Sequence, residues 1–383
     1  MLNVNTSMDF TTGGGGVERT YQMSYHLAEK GIDCTILATD YNFTDKFMNR
    51  FSKIKLVLIP CLVKRFLLPF PSLNIIYKVV KTSDIIILMA HWSILNAMVF
   101  IIARYLNKPY VLNPVGTISI FGRSKLLKFL YNIFFGKSII KNASAYIAVN
   151  KEEAAELISY GVDPLKVTII PNGVDENNFK EKQDLSFRIK YGLKEEPFIL
   201  FLGRLDSIKG PDLLLKAFCN VMHKLHPYIL VFAGPDSGML SELKQIVAQY
   251  QAEDRVRFVG YLGKIDKSHA LHAAELVVIP SRQEAMSIVV LEAGITGTPV
   301  LITKNCGFNE IDLIDGGKVV SATINGIEDG LLELLKCPQK LKVKGNNLKK
   351  YTSANYSWNS VILKYIDLYK HILNMKLNIL NVG

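Results

Sequence analysis

The sequence predicts an α/β protein built from two doubly wound parallel sheets. Short β-branched runs alternate with helical patterns almost throughout, the runs fall into two series, and 383 residues suffice for two domains that each bury a core. The first series is Leu2–Asn5, Cys34–Ala38, Lys55–Ile59, Ile85–Met89, Tyr110–Asn113, Ala145–Val149 and Val167–Ile170. The second is Phe198–Leu202, Ile229–Ala233, Val256–Val259, Leu276–Ile279, Val300–Thr303 and Lys318–Val320. Between them, at Pro171–Phe179, turn residues gather and the pattern lapses. The chain therefore reads as domains 1–175 and 176–355, followed by a helical segment 356–383 with amphipathic spacing. Ligands of open parallel sheets sit beyond the carboxyl ends of the strands, so functional residues are expected in strand-to-helix loops, with paired sheets framing a cleft.

With 49% hydrophobic residues, a membrane span has to be considered. The run Ile85–Leu106 is long enough, but His91, Trp92, Ser93 and Asn96 interrupt it. It reads better as a buried strand, a short polar loop and an apolar helix. The start, Met1-Leu-Asn-Val-Asn, lacks the basic and apolar stretches of a secretory leader, which gives a cytoplasmic expectation. Five cysteines, Cys34, Cys61, Cys219, Cys306 and Cys337, include no C-x-x-C pair and fit reduced core thiols better than a disulfide framework or a zinc site.

The formal net charge is +11, unevenly placed. From Lys46 to Lys141 there are fifteen Lys or Arg residues and one acid, Asp84. Within that block, Lys64–Phe70 and Arg123–Phe129 interleave basic with large apolar residues, as expected where a protein lies on an anionic bilayer. A solvated basic face without a partner is the plainer alternative. Nucleic acid is disfavoured, because no nucleic-acid motif accompanies the charge.

Four segments carry candidate chemistry. Gly13–Gly16 follows the first strand and precedes a helix from Val17, so the backbone there can approach an anion closely. Its spacing is not that of a dinucleotide fingerprint. Gly203-Arg-Leu-Asp-Ser-Ile-Lys-Gly210 follows Phe198–Leu202 and offers two cations, Arg204 and Lys209, suited to a diphosphate; a surface turn is the bland reading. In Pro280–Gly294, Glu284 ends a loop and Glu292 lies two turns into a helix expected near Met286, with the amides of Ala285, Met286 and Ser287 between them. Anion donors flanked by hydroxyl acceptors match a nucleoside diphosphate sugar: ribose, two phosphates, sugar. His91 follows an apolar strand and taken alone reads as a satisfied core residue; the company of the other motifs places it in the cleft.

These segments, in this order, resemble the retaining glycosyltransferases called group 1 or family 4, with the GT-B fold of two Rossmann-like domains facing across a cleft. The resemblance covers nearly the whole chain. Asn113-Pro-Val-Gly116 resembles an acceptor-domain loop of that family, Pro171–Asp175 its passage into the second domain, and Gly203-Arg204, Lys209-Gly210, Ala233-Gly234-Pro235 and the Glu284/Glu292 pair its donor site. The resemblance implies that Arg204 and Lys209 neutralise the donor diphosphate, Glu284 binds hydroxyls of the transferred sugar and Glu292 holds the ribose. It implies that His91 contacts the sugar near the reacting carbon, and that Gly15, Gly16, Asn113 and Gly116 lie on the donor and acceptor approaches. It also implies that the helix beginning at Tyr356 closes the fold by crossing back to the first domain. Ser287 departs from the family, standing where glycine is common.

The expected reaction is transfer from a UDP- or GDP-linked sugar to a glycan or lipid-linked acceptor, with retention by front-face attack or, in competition, through a covalent intermediate. No D-x-D pair is present, which favours a metal-independent reaction without a cofactor. The basic first domain suggests a peripheral position on the inner face of a membrane and a role in surface polysaccharide or glycolipid synthesis. A nucleotide-sugar 2-epimerase and a non-catalytic carbohydrate- or membrane-binding protein on the same fold are the alternatives.

Overall fold

In the computed structural model the residues described are 1–11, 13–118, 124–180, 184–193 and 195–382. They form two compact units, Met1–Asn172 with Trp358–Gly383, and Gly173–Ser357. The sequence boundaries lay at 175 and 355. At the crossing points Val174 donates its amide to the Tyr356 carbonyl at 2.8 Å, so the outgoing and returning chains are paired at the edge of the second unit.

The first unit holds β1 (Leu2–Ser7), β2 (Thr35–Thr39), β3 (Lys55–Ile59), the hairpin β4 (Cys61–Val63) and β5 (Leu68–Pro69), β6 (Ile86–Met89), β7 (Tyr110–Asn113), β8 (Ala145–Ala148) and β9 (Val167–Ile169). All but the hairpin form one parallel sheet in the order β3-β2-β1-β6-β7-β8-β9. Alternation along β6 explains the two-sided core: Ile87 and Met89 join one apolar cluster, Ile86 and Leu88 the other. In β1 the alternation brings Asn3 and Asn5 inward, where their amides donate to Ser24 Oγ at 2.6 Å and Thr20 Oγ1 at 2.8 Å on the helix Gly14–Glu29. The buried amide nitrogens are thereby satisfied rather than left at a cost.

The helix Trp358–Val382 packs Trp358, Val361, Ile362, Tyr365, Leu368, Tyr369 and Ile372 into the first cluster, beside Met23 and Leu27. Arg19 is buried at its centre and donates to Tyr365 Oη at 2.6 Å, to the Ile170 carbonyl at 3.0 Å and to Asn172 Oδ1.

Several elements differ from the sequence reading. The first helix begins at Gly14, so Gly15 and Gly16 belong to its first turn and not to a loop before it. The basic segment from Lys64 contains a turn and the short antiparallel strand β5, too brief to carry a periodic signal. Arg123, in the second basic segment, lies outside the described residues. The run Ile85–Leu106 resolves into β6, a polar turn and the helix Ile94–Tyr105, as expected. Among the described residues no helix is long and apolar enough to cross a membrane. Cys34, Cys219 and Cys306 are buried, and burial pushes their thiols up to about 11, whereas Cys61 and Cys337 are only half-buried.

The second unit holds β10 (Phe198–Leu202), β11 (Ile229–Ala233), β12 (Val256–Gly260), β13 (Leu276–Ile279), β14 (Val300–Thr303) and β15 (Gly317–Val320). They form a parallel sheet in the order β12-β11-β10-β13-β14-β15. One face is sealed by the helices Pro211–Val221, Leu240–Gln249 and Ile324–Leu335, whose Leu214, Phe218, Leu243, Ile327 and Leu331 pack against Leu200's neighbours Ile199, Phe201 and Phe232.

Candidate active site

In the second sheet the chain runs outward from β10 to β12, then returns to the other side of β10 at β13. The loops leaving β10 and β13 diverge, and the crevice at their carboxyl ends is where such sheets receive ligands. Those two loops are Gly203–Gly210 and Pro280–Ser287. Motifs far apart in the chain thus become neighbours through topology alone.

Close backbone contact fixes the two loops. Gly203 donates its amide to the Ala233 carbonyl at 2.9 Å, and a Cβ on Gly234, whose φ is 148°, would lie 1.8 Å from the Gly203 carbonyl oxygen. Gly210, with φ 68°, passes so near Pro280 that a Cβ would lie 2.3 Å from its carbonyl oxygen. Both positions need glycine for space and for conformation. Arg282 then bolts the loops together: its amide donates to the Ile208 carbonyl at 2.7 Å and its guanidinium grips Asp212 at 2.8 and 2.6 Å. Burial pushes the Asp212 carboxyl up, but the hydrogen bonds and charge of Arg282 outweigh it and hold the group below its ordinary range.

Each candidate cation already has a carboxylate. Arg204 lies 3.3 Å from Asp206 Oδ2, while Asp206 Oδ1 accepts from the Lys209 amide at 3.0 Å. Lys209 Nζ donates to Glu284 Oε1 at 2.6 Å, and Ser281 Oγ donates to Glu284 Oε2 at 3.0 Å. The Glu284 amide is held by the Asn305 carbonyl at 2.9 Å. Glu284 therefore sits in a rigid loop, and the helix starts at Ile288 instead of near Met286. The Ser287 amide donates to the Cys306 carbonyl at 3.1 Å, which removes it from the set of anion donors expected from sequence. Ala285 stands half-buried and Met286 buried between them.

Glu292, on the helix Ile288–Thr296, is buried and ion-paired to Lys267. The two glutamates thus stand apart in partner, one on Lys209 and one on Lys267. Asp206, Asp212 and Lys267 were missed by sequence reasoning. Asp206 lies inside the recognised Gly-Arg…Lys-Gly segment and Asp212 just beyond it, both within reach of inspection; nothing in the spacing around Lys267 marks it. Among the described residues no group of three or more His, Cys, Asp or Glu side chains is placed to hold a metal ion.

In the first sheet the corresponding switch lies between β1 and β6, and the chain leaving those strands carries the glycine segment and His91. Gly15 is exposed and Gly16 half-buried in the first helical turn; a Cβ on Gly16 would meet nothing within 4 Å. His91 is buried, its Nε2 donating to Asn132 Oδ1 at 3.0 Å, while Nδ1 is a buried acceptor without a partner among the described residues. Trp92 and Tyr131 meet its ring edge-on at 4.6 and 5.6 Å. Burial lowers its basicity, with Asn132 working in the opposite direction, so the ring is neutral near neutral pH. The covering residues come from Lys125–Asn142, a helix with a π-turn at Asn132–Gly136. Asn113 is buried at the end of β7 beside Tyr365. Gly116 (φ 74°) donates its amide to Glu153, whose other oxygen accepts from the Val149 amide at 2.7 Å.

Two parallel Rossmann-like sheets of this order are the framework of the GT-B class of glycosyltransferase folds. The family model "Glycosyltransferase Family 4" matches residues 13–178 and "Glycosyl transferases group 1" matches residues 183–351. Between them they take in most of the chain, which belongs to the group 1, family 4 glycosyltransferases. Among curated relatives, D-inositol 3-phosphate glycosyltransferase 2 of Catenulispora acidiphila is 28% identical over 60% of this chain and 57% of its own length. An uncharacterized glycosyltransferase of Methanocaldococcus jannaschii is 30% identical over 59% of this chain and 58% of its own. The chain thus spans less than two thirds of the length of these relatives. Sucrose-phosphate synthase from Thermosynechococcus elongatus superimposes with a TM-score of 0.78 at 20% identity, covering 98% of this chain and 99% of that one. Anabaena HepE, solved with UDP and glucose, gives 0.77 at 19% identity, covering 97% and 99%.

Proposed function

We propose that the protein transfers a sugar, with retention, from a nucleoside diphosphate sugar to a glycan or lipid-linked acceptor. The observation that carries this reading is the Lys209–Glu284 pair at the second switch point, 2.6 Å separating ammonium from carboxylate, with Arg204 on the same loop as Lys209. As the bond from the anomeric carbon to the diphosphate breaks, charge develops on the leaving oxygen. Arg204 and Lys209 neutralise it, and the fixed loops mean that little reorganisation is needed. Lys209, on reaching the diphosphate, frees Glu284 to accept from sugar hydroxyls. The acceptor hydroxyl gives its proton to the departing phosphate, so no protein base and no metal ion is required. The Ala285 and Met286 backbone lies beside the sugar, Glu292 receives the ribose, and Gly203 and Gly234 keep side chains away from the diphosphate. His91, Asn113 and Gly116 are assigned to the sugar and acceptor side, and Gly15 and Gly16 to the donor approach.

The acceptor side is also where a membrane would be met. On the segment from Lys125 to Gly136, Leu126 (70% exposed) and Phe134 (68%) stand in solvent with Leu127, Phe129 and Ile133, accompanied by Lys125 and Lys128. Phe66 and Phe70 are similarly exposed near Lys64 and Arg65. Each Lys or Arg near an anionic leaflet contributes about 1 kcal/mol, and exposed aromatic groups add burial in the interface. This supports peripheral attachment to an inner membrane face and a lipid-linked acceptor of surface glycan synthesis.

The test is a thermal-shift screen against UDP, GDP, ADP and their common sugar conjugates, with Glu292→Ala alongside. HepE was solved with UDP, which makes the uridine series the first choice. A rise in melting temperature with one nucleotide, lost in the variant, supports the donor site. No rise with any of them rejects it.

A further inference from the structure

Lys267 has no role in the reading above, yet it is ion-paired to the buried Glu292. It lies in the first turn of the helix Lys264–Ala273 and reaches the carboxylate across 25 residues of chain. The Glu292 side chain is 8% exposed. On its other side the Lys267 ammonium lies 5.5 Å from the centre of the Phe179 ring. The helix that carries it is fixed independently. His272 Nε2 donates to the Phe179 carbonyl at 2.8 Å, and Thr298 Oγ1 donates to the Leu271 carbonyl at 2.6 Å. The ammonium is therefore presented to Glu292 by a scaffold that does not depend on the ion pair.

Burial disfavours the charged form of a carboxylate and a counter-charge in contact favours it, so removing that counter-charge tips the group toward taking up a proton or turning outward. Either change removes an acceptor of two ribose hydroxyls. We propose that Lys267 is a positioning residue for nucleotide recognition, holding Glu292 charged and aimed so that the ribose is read through its hydroxyls. The inference rests on the donor-site reading, which assigns the ribose to Glu292.

The experiment is calorimetric titration of the full chain with whichever of UDP, GDP and ADP binds most tightly, and with the 2′,3′-dideoxy form of the same nucleotide. The wild type should bind the dideoxy form on the order of 10- to 100-fold more weakly, the range of hydrogen bonds to a charged group. Lys267→Met should bring that ratio close to one by weakening the ribonucleotide alone, and Lys267→Arg should restore it. Lys267→Gln provides a second neutral variant, and ligand-free melting curves show that each variant is folded. A ratio unchanged in both neutral variants overturns the proposal, as does equal weakening of both nucleotides, which would mark a direct phosphate contact. If Glu292→Gln collapses the ratio while the Lys267 variants keep it, the donor site stands and this inference alone falls. A wild-type ratio near one removes both.

Discussion

Lys209 and Glu284 are 75 residues apart in the chain, yet their charged atoms lie 2.6 Å apart because β10 and β13 are adjacent at the point where the strand order reverses. The pair is partly shielded, with side chains 24% and 15% exposed. A diphosphate would compete for Lys209. We expect Lys209→Met to lower the turnover number by roughly 100- to 1000-fold, the usual effect of removing one group that stabilises leaving-group charge. Its melting temperature should change little, because the loops are held by backbone contacts and Arg282. Initial-rate assays with the donor found in the nucleotide screen, beside calorimetric melting, check this; a large loss of stability with full activity would sink it.

Arg282 and Asp212 carry the structural load at the same loops. The folded-state pKa of Asp212 is held below its ordinary value near 3.8, so the stabilisation is complete above that value and is lost as pH falls through the depressed folded pKa. Asp212→Asn should destabilise the protein by about 1–2 kcal/mol near neutral pH, after allowing for solvent screening of a pair whose arginine is partly exposed. Its acid limb should also be flatter than that of the wild type. Urea titrations between pH 3 and pH 7 measure both effects. Parallel limbs for the two proteins would contradict the assignment.

The thirteen strands of the two sheets were legible because buried parallel strands are short apolar runs bounded by turn residues, a signal that survives without tertiary information. Lys55–Ile59 and Val300–Thr303 have the same ends in sequence and structure. The Gly203–Gly210 loop was legible for a related reason: Gly203, Arg204, Lys209 and Gly210 are local in the chain. What escaped is non-local. The ion pair of Lys267 with Glu292 and the contact of Asn132 with His91 depend on which helices the crossovers bring together, and no period encodes that. The β4–β5 hairpin escaped because two-residue pairing is too short to show alternation.

His91 separates the two readings of a lone histidine. Its folded pKa lies below the ordinary 6.5, so stability is full above that value and declines as pH falls below it, where the unfolded chain takes up a proton that the buried ring refuses. We expect the His91 imidazole signals in NMR to show a neutral ring, protonated on Nε2, down to a pH below 6.5. His91→Phe should retain nucleoside diphosphate binding, which the proposed function assigns to the second unit, while reducing sugar transfer by about 100-fold or more, the scale of a lost positioned polar group. Full transfer with an intact fold would return His91 to the core.

Arg19 and Tyr365 join the first and last helices of the first unit. The guanidinium is buried, donates to the phenol at 2.6 Å and is also bound to the Ile170 carbonyl, so the C-terminal helix is tied to the end of β9 through one charge. Tyr365→Phe deletes a single acceptor and leaves the ring in place. The expected cost is about 1–3 kcal/mol, the penalty for leaving a buried charged donor partly unmatched. Arg19→Met removes the charge together with its need for partners, so it should cost less than Arg19→Ala, which also opens a cavity. Denaturant titrations of the three variants give the order directly. If Tyr365→Phe matches the wild type, the phenol does not anchor the guanidinium, and the helix is held by Trp358, Val361, Ile362 and Tyr369 packing alone.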